Sequence, residues 1–366
     1  MPRASTIRAE NRPRDQQPAS ARLRPVHVFV PYQLSEGGAA SPYYDTAEFR
    51  AELPGWFAPG REWCWCVITL DEQSLTRAVS EARAAGAVVL NLCDGDEQDG
   101  YPGPSVVAAL AASGVPFSGA DPRFYGLSSS KLAMKQRFIA AGLPTAPFIR
   151  LDHDEAIALV KTVVGYPCIL KLDVSADGIG MTRRSVVADV DDLQAEYAAL
   201  LAHGFGPRIP YVEAFIHGRE MSVLVVEDDG AATGLRAFAP VECVFDPHIP
   251  DRERILFKGH RDFDPFGNQR DEGTAARVVY QPAPDVFHEP LKRLAIAAFG
   301  AVDGVGYARI DVRIRDGDDA AFLLEVNANC SLSRDELSIA PALAAAHYDF
   351  SDLVRLILRE SVEAAR

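Results

Sequence analysis

From Val26 onward, short apolar runs alternate with segments of helical apolar spacing, and this alternation constrains the fold more than any other feature. The predicted elements of the first part are strands at 26–30, 87–92 and 115–117 and helices at 75–85 and 104–113. Strand–helix–strand order with continuous apolar strands is typical of an open α/β domain with a buried parallel sheet. We therefore predict an N-terminal α/β substrate domain over residues 26–127. Ligands would bind beyond the carboxyl ends of its strands, near residues 91–100.

Two further units are predicted, and the predicted fold class is α/β in the first domain and α+β in the rest. A small lid subdomain over residues 128–206 would contain helices at 131–141, 154–163 and 191–202 and strands at 148–151, 166–172 and 181–188. A C-terminal subdomain over residues 207–366 would contain strands at 211–216, 221–227, 277–280, 308–315 and 321–326 and helices at 290–299, 339–346 and 351–364. The polar segment 244–276 is long for a loop, which is typical of a functional lid.

Residues 1–25 differ from the rest in composition. They contain six arginines, four prolines and two acids, and we predict a disordered tail there, with a transit peptide as the less favoured alternative. The formal net charge is −14; the tail contributes +4, which leaves −18 on the remaining residues. Such a body would repel phosphate backbones, so we expect no nucleic-acid partner. We also expect no membrane association, because no apolar stretch approaches the ~20 residues of a span.

The six cysteines are scattered through apolar segments. Only Cys64 and Cys66 are close in sequence, and on a strand they would point to the same face. No further metal ligand is evident beside them in the sequence, so we expect reduced core cysteines in a cytoplasmic protein.

The strongest chemical signal is Ala308-Arg-Ile-Asp311 followed by Glu325-Val-Asn327. Two antiparallel strands joined by the turn at 316–319 would bring Asp311 opposite Glu325 and Asn327. Two carboxylates and a carboxamide on one surface suit Mg²⁺ carried by a nucleotide triphosphate. Arg309, on the same face, could stabilise a developing negative charge. Without further motifs, an ordinary hairpin with solvated charges explains this pattern equally well.

Other motifs strengthen the nucleotide interpretation. Lys171 lies on an otherwise apolar strand and precedes the glycine-bearing stretch 173–180, whose amides could contact phosphates. The segment 211–220 reads as a strand, a tight turn and a returning strand, and its edge could offer backbone groups to an adenine.

Taken in order, these motifs resemble those of the ATP-grasp ligases, and among them most closely the D-alanine–D-alanine ligases. The motifs are Ser130-Lys131, Ala141-Gly-Leu-Pro144, Lys171 with its glycine loop, Glu213-Ala-Phe-Ile-His-Gly-Arg-Glu220, Ala308-Arg-Ile-Asp311 and Leu324-Glu-Val-Asn327. The similarity covers roughly residues 87–360, whereas residues 26–86 match poorly. It implies a two-subdomain ATP-grasp fold behind the N-terminal domain, and an enzyme that forms an acyl phosphate from ATP before an amine attacks. It also implies a homodimer.

The resemblance assigns roles to particular residues. Lys131 and Lys171 would contact the nucleotide phosphates beneath the loop that contains Asp177 and Gly178. The nucleoside would be held by Glu213, Ala214 and Ile216 at the adenine edge and by Glu220 at the ribose. Asp311, Glu325 and Asn327 would bind two Mg²⁺ ions, for which Mn²⁺ can substitute. Arg309, the backbone near Ser331 and the mobile-loop Lys258 would act on the reacting groups.

The chain departs from the family pattern where substrates bind. Asp94 stands where these ligases have a histidine, and Glu336-Leu337 stand where they have Ser-Leu, whose serine holds the second D-alanine's carboxylate. A glutamate there would repel a carboxylate, unless the register is shifted or Glu336 pairs with Arg334. We therefore expect an amide-forming ligase for small amino-acid-like substrates, and not cell-wall dipeptide synthesis. The alternatives are an imine-forming ligase of the mycosporine type, a genuine D-alanine–D-alanine ligase and a non-catalytic ATP-binding protein.

Overall fold

The computed structural model describes residues 23–35, 38–41, 44–153, 155–175, 178–256, 278–332 and 338–359. Residues 1–22 of the predicted tail and residues 257–277 of the predicted lid segment therefore lie outside the described part of the chain. None of the described helices combines the length and apolarity that crossing a lipid bilayer requires.

The N-terminal part contains a three-stranded parallel sheet with the order β4-β1-β5. Its elements are β1 (Val26–Pro31), β2 (Gln33–Ser35), β3 (Gly38–Ala40), α1 (Ala47–Glu52), β4 (Trp63–Ile68), α2 (Glu72–Ala84), β5 (Val88–Asn91), α3 (Pro104–Ser113) and α4 (Pro122–Ser128). The predicted helix 104–113 matches α3, which ends at Gly114 in the left-handed conformation because glycine adopts positive φ without strain. The predicted strand 115–117 is reduced to a single bridge between Val89 and Phe117.

The cysteine prediction needs correction at one position. All six cysteines are free, but Cys64 is exposed whereas the other five are buried. Cys64 lies on β4, which is the outer strand of the described sheet, so one flank of its side chain reaches solvent. The Cys64 thiol is therefore not part of the core, whereas Cys66 of the same strand is.

The central part is a four-stranded antiparallel sheet with the order β6-β9-β7-β8. Its elements are α5 (Lys131–Ala140), β6 (Phe148–Arg150), α6 (Glu155–Val163), β7 (Cys168–Leu172), β8 (Val186–Val187), α7 (Val190–His203) and β9 (Pro210–Ala214). The sequence places β9 in the C-terminal unit, next to the strand that follows it. In the structure β9 instead pairs with β6 and β7, because Val212 is buried in the core that these strands form with α6 and α7. A boundary at residue 207 therefore separates β9 from its sheet.

The C-terminal part is a six-stranded antiparallel sheet with the path β13-β12-β10-β14-β15, and with β11 paired to β10. Its elements are β10 (Gly218–Glu227), β11 (Leu235–Ala237), β12 (Val241–Phe245), β13 (Val278–Pro282), α8 (His288–Ala301), β14 (Tyr307–Arg315), β15 (Ala321–Ala328), α9 (Ile339–Ala345) and α10 (Phe350–Ile357). Strand β12 ends at Phe245, so only its last two residues fall within the predicted loop segment 244–276.

One hydrophobic core joins the first and last parts of the chain. Val28 of β1 and Phe49 of α1 are buried in the same cluster as Leu224 of β10 and Leu353 of α10. A second cluster packs α8 and α5 against the other face of the C-terminal sheet. The N-terminal domain therefore packs against the C-terminal sheet, next to the strands that contain the acidic motif.

Candidate active site

The acidic motif lies on neighbouring strands of the C-terminal sheet. Asp311 of β14 pairs with Glu325 of β15, and Arg309 pairs with Asn327. The ladder shifts register directly after Asp311, which adds local twist. Because side chains alternate along a strand, all four functional groups share one face. This is the arrangement that the two motifs predict.

Asp311 is held by three neighbours. Arg309 donates to both of its carboxylate oxygens at 2.9 Å, Ser222 of β10 donates at 2.7 Å and Asn327 donates at 2.8 Å. Burial raises the pKa of the Asp311 carboxyl, and Arg309 acts in the opposite direction. Ser222 was missed at the level of sequence, because nothing local connects it with a strand 89 residues away.

Lys131 reaches this face from the helix α5. Its Nζ lies 3.2 Å from a Glu325 carboxylate oxygen and donates to the Ser175 carbonyl at 2.5 Å. Burial alone would raise the pKa of the Glu325 carboxyl, but the nearby Lys131 and Lys171 lower it. Asp173, which follows β7, anchors the start of α5 by accepting hydrogen bonds from the Ser130 hydroxyl and the Leu132 amide.

A buried lysine–glutamate–lysine cluster supports the lysine predicted to contact phosphate. Lys171 lies 2.7 Å from one Glu213 carboxylate oxygen, and Lys135 lies 2.5 Å from the other. Burial acts to raise the pKa of Glu213, but the two ammonium groups lower it to about 2. Burial lowers the pKa of Lys135, whereas Glu213 raises that of Lys171 against the effect of burial. Lys135 was not predicted, although its position one helical turn after Lys131 is a usable signal.

The predicted adenine segment crosses from one sheet to the other. Strand β9 ends at Ala214 inside the central sheet, and Glu220 lies in β10 of the C-terminal sheet. The two strands are therefore not paired as a hairpin, and β9, with a neighbour on each side, offers no open edge. Residues 215–217 span the junction, where Arg313 donates to the Ile216 carbonyl at 3.0 Å and to Glu220 at 2.7 Å.

Asp94, which was predicted to face the substrate, and Ser331, whose backbone was predicted to act on the reacting groups, both lie beside Tyr44 of the N-terminal domain. The hydroxyl of Tyr44 donates to Asp94 at 3.0 Å and lies 3.3 Å from the Ser331 hydroxyl. Asn329, two residues before Ser331, accepts a hydrogen bond from the Ala120 amide at 2.7 Å. Neither Tyr44 nor Asn329 was predicted. Both contacts join residues that are more than 200 positions apart or that lie in the poorly matching segment, so no local pattern identifies them.

Four predicted residues have no described position. Asp177, Lys258, Glu336 and Leu337 lie outside the described residues, and their roles stay predictions. Gly178 is described and has a φ of +71°. The donor set of Asp311, Glu325 and Asn327 consists of carboxylate and carboxamide groups on one partly buried face, which fits a magnesium ion.

A protein-family model shows which family this chain belongs to. The sequence model of the D-ala D-ala ligase C-terminus matches residues 138–359, which is more than half of the 366 residues. The chain belongs to the D-alanine–D-alanine ligase family. The match begins within α5 and contains all of the acidic motif, Arg309, Lys171 and the Glu213–Glu220 segment.

The chain is distant in sequence from named D-alanine–D-alanine ligases. The D-alanine–D-alanine ligase of Herminiimonas arsenicoxydans is 26% identical over 260 residues, covering 69% of this chain and 70% of that protein. The enzyme of Bordetella pertussis is 28% identical over 289 residues, covering 78% of this chain and 82% of that protein. These relatives confirm the predicted resemblance to the family.

Solved structures confirm the predicted ATP-grasp fold. The D-alanine–D-alanine ligase of Bacillus anthracis superposes with a TM-score of 0.66 at 18% identity, over 92% of this chain and 97% of that one. Biotin carboxylase of Campylobacter jejuni superposes with a TM-score of 0.58 at 18% identity, over 81% of this chain and 61% of that one. Together with family membership, this fold makes the protein an ATP-dependent, ADP-forming ligase of carbon–nitrogen bonds.

Proposed function

We propose that the protein forms an amide bond between two small amino-acid-like substrates, and that the substrate bearing the amine is not D-alanine. The position of Asp94 is the observation that supports an amine substrate other than D-alanine. Its carboxylate accepts from Tyr44, which also lies beside Ser331. A carboxylate at position 94 repels a substrate carboxylate bound beside it and attracts a cationic group of the substrate. Glu336 would act in the same direction if it holds its place in the family's substrate loop.

The cationic side chains would position the nucleotide. Lys131 and Lys171 lie on two different elements and both act on Glu325 electrostatically, so they converge on one region. In the proposed reaction a substrate carboxylate oxygen attacks the γ-phosphorus, an O–P bond forms, and the bond to ADP breaks. The substrate amine then attacks the acyl carbon, a C–N bond forms, phosphate leaves, and the amine proton passes to solvent.

Arg309 would stabilise the negative charge that develops on the acyl oxygen, because its guanidinium is fixed by two hydrogen bonds to Asp311 and keeps its charge at all relevant pH values. Two magnesium ions held by Asp311, Glu325 and Asn327 would neutralise charge on the ATP phosphates. Such a reaction depends on positioning and electrostatics and needs no protein nucleophile. The site matches this need with fixed cations and acids.

The test is a phosphate-release assay with Mg-ATP and paired panels of amino acids, amines and carboxylic acids, in which D-alanine alone is one member. We expect release with a pair whose amine component carries a second positive charge, and little release with D-alanine alone. The fastest turnover with D-alanine alone would refute the substrate half of the proposal. Absence of release with every pair, together with absence of ATP binding, would refute the ligase half.

The product distinguishes the amide from the imine alternative. Both products weigh one water less than the sum of the two substrates, so mass alone does not separate them. Borohydride reduces an imine and leaves an amide unchanged. A product that gains two hydrogens on treatment would overturn amide formation.

A further inference from the structure

Three side chains of types that commonly bind metal ions lie close together in the N-terminal domain, away from the acidic motif. The ligand atoms of His27, Cys64 and Cys66 all lie within 4.8 Å of one another. The sheet brings them together: β1 and β4 are parallel, and His27 is the register partner of Cys64. Cys64 and Cys66 occupy alternate positions of β4, so their side chains share a face. The histidine is 37 residues from the nearer cysteine, which is why the sequence showed no third ligand.

The distances match a tetrahedral metal site. Zinc binds sulfur at ~2.3 Å and nitrogen at ~2.0–2.1 Å, which places two sulfurs ~3.8 Å apart and a sulfur and a nitrogen ~3.6 Å apart. Here the two sulfurs are 3.6 Å apart, and the Cys66 sulfur lies 3.8 Å from Nδ1 of His27. Two of the three separations therefore match a coordination sphere, and the third, between the Cys64 sulfur and the His27 ring, is within 4.8 Å.

The surroundings suit a thiophilic divalent cation. His27 and Cys66 are buried whereas Cys64 is exposed, so an ion could enter from the open side. Glu81 of α2 adds negative charge near all three side chains, and a water entering from the open side would supply the fourth ligand. Because cysteine binds a metal as its thiolate, a cation must displace the protons of the Cys64 and Cys66 thiols.

A disulfide between the two cysteines is the competing use of this pair. Alternate positions on one strand are ~6.6–6.8 Å apart at Cα, which is at the upper limit for a disulfide, whose sulfurs must approach to ~2.0 Å. Metal coordination needs no such approach. We propose that His27, Cys64 and Cys66 form a site for a thiophilic cation of the zinc class, which ties β1 to β4. The site lies at the start of both strands, opposite the end where Asp94 follows β5, so its role would be structural.

The experiment uses the full-length protein, reduced and stripped with a chelator, and titrates it with Cd²⁺ and Co²⁺ while thiolate-to-metal charge-transfer absorbance is recorded. This readout ignores cations bound at the carboxylates of the acidic motif. We expect one equivalent to bind with a charge-transfer band, and Zn²⁺ to displace it. The band should be lost in Cys64→Ser with Cys66→Ser, and His27→Asn should weaken binding at least tenfold. Cys168→Ala, a buried cysteine of β7, is the matched control and should keep the band.

Two results would overturn the site. One is a titration without any charge-transfer band in the wild-type protein. The other is a band that persists in the Cys64→Ser, Cys66→Ser double variant. Cys64→Ser changes an exposed residue and is expected to fold, so Cd²⁺ and Zn²⁺ should raise the melting temperature of the wild type more than that of this variant. Equal shifts in both proteins would also contradict the proposal. Phosphate release depends on a different region, so failure here leaves the ligase proposal standing.

Discussion

Asp311 and Glu325 face each other across β14 and β15, one residue before the register of that pair shifts. Their environments differ: burial raises the pKa of Asp311, whereas the lysines beside Glu325 outweigh burial and lower its pKa. The first carboxylate is bound by Arg309 and Ser222, and the second is paired with Lys131. Under the proposed function, the pair would join the residues near the reacting groups to those near the ATP phosphates.

Asp311→Asn and Glu325→Gln should each reduce phosphate release by more than ~100-fold, beyond what loss of an outer-shell partner of a metal ligand typically costs. Each change removes a charged oxygen ligand but keeps the shape of the side chain. Steady-state assays over a range of Mg²⁺ concentrations would measure the effect. Asp318→Asn, in the exposed turn of the same hairpin, is the control. Near-normal rates in either variant would disprove the metal assignment.

Arg309→Lys should lower kcat by about 10²-fold while the KM for ATP changes little, because lysine keeps the charge but loses the two-pronged geometry. Single-turnover phosphate release and equilibrium ATP binding separate the two quantities. Arg315→Lys, six residues further along β14 and paired with exposed Asp318, should have no effect. If Arg309→Lys lost ATP affinity by the same factor as kcat, Arg309 would be a nucleotide-binding residue and not a catalytic one.

Glu213→Gln should destabilise the fold by about 3–5 kcal/mol, because it leaves Lys135 and Lys171 buried without their counter-charge. The effect should depend on pH. The folded pKa of Glu213, about 2, lies below its ordinary 4.5, so its stabilisation is complete above pH 4.5 and is lost as pH falls toward 2. Denaturant unfolding at pH 7 and pH 3 would show the difference between wild type and variant shrinking. A constant difference would contradict the ionised cluster.

Tyr44→Phe should raise the KM for the amine-bearing substrate by about tenfold and leave the KM for ATP unchanged, because it removes the hydrogen bond that orients Asp94. Tyr32→Phe is the control, since the Tyr32 hydroxyl donates to Asp45 in the same domain. Equal changes in both KM values would indicate a general loss of structure. An unchanged KM for the amine in Tyr44→Phe would place Asp94 outside the substrate pocket.

The sequence predicted the elements that carry most of the proposed chemistry. The strand pair bearing Asp311 and Glu325 and the strand bearing Lys171 occur close to the predicted positions, as does helix α3 with its glycine end, which lies outside the site. These are cases in which periodicity, capping residues and alternation act over a few residues. Element bounds were less accurate where pairing decides them, as for β8, which has two residues where eight were predicted.

Local pattern by itself determined which strand face would carry the acids, because alternation of side chains follows from strand geometry alone. Only the tertiary structure decided which distant residues complete each cluster. Lys135 reaches Glu213, Ser222 reaches Asp311, and His27 reaches Cys64 and Cys66 through sheet order and core packing. Sheet order and core packing depend on the burial of apolar side chains from distant parts of the chain. For the same reason β9 pairs within the central sheet and not with β10, the next strand in sequence.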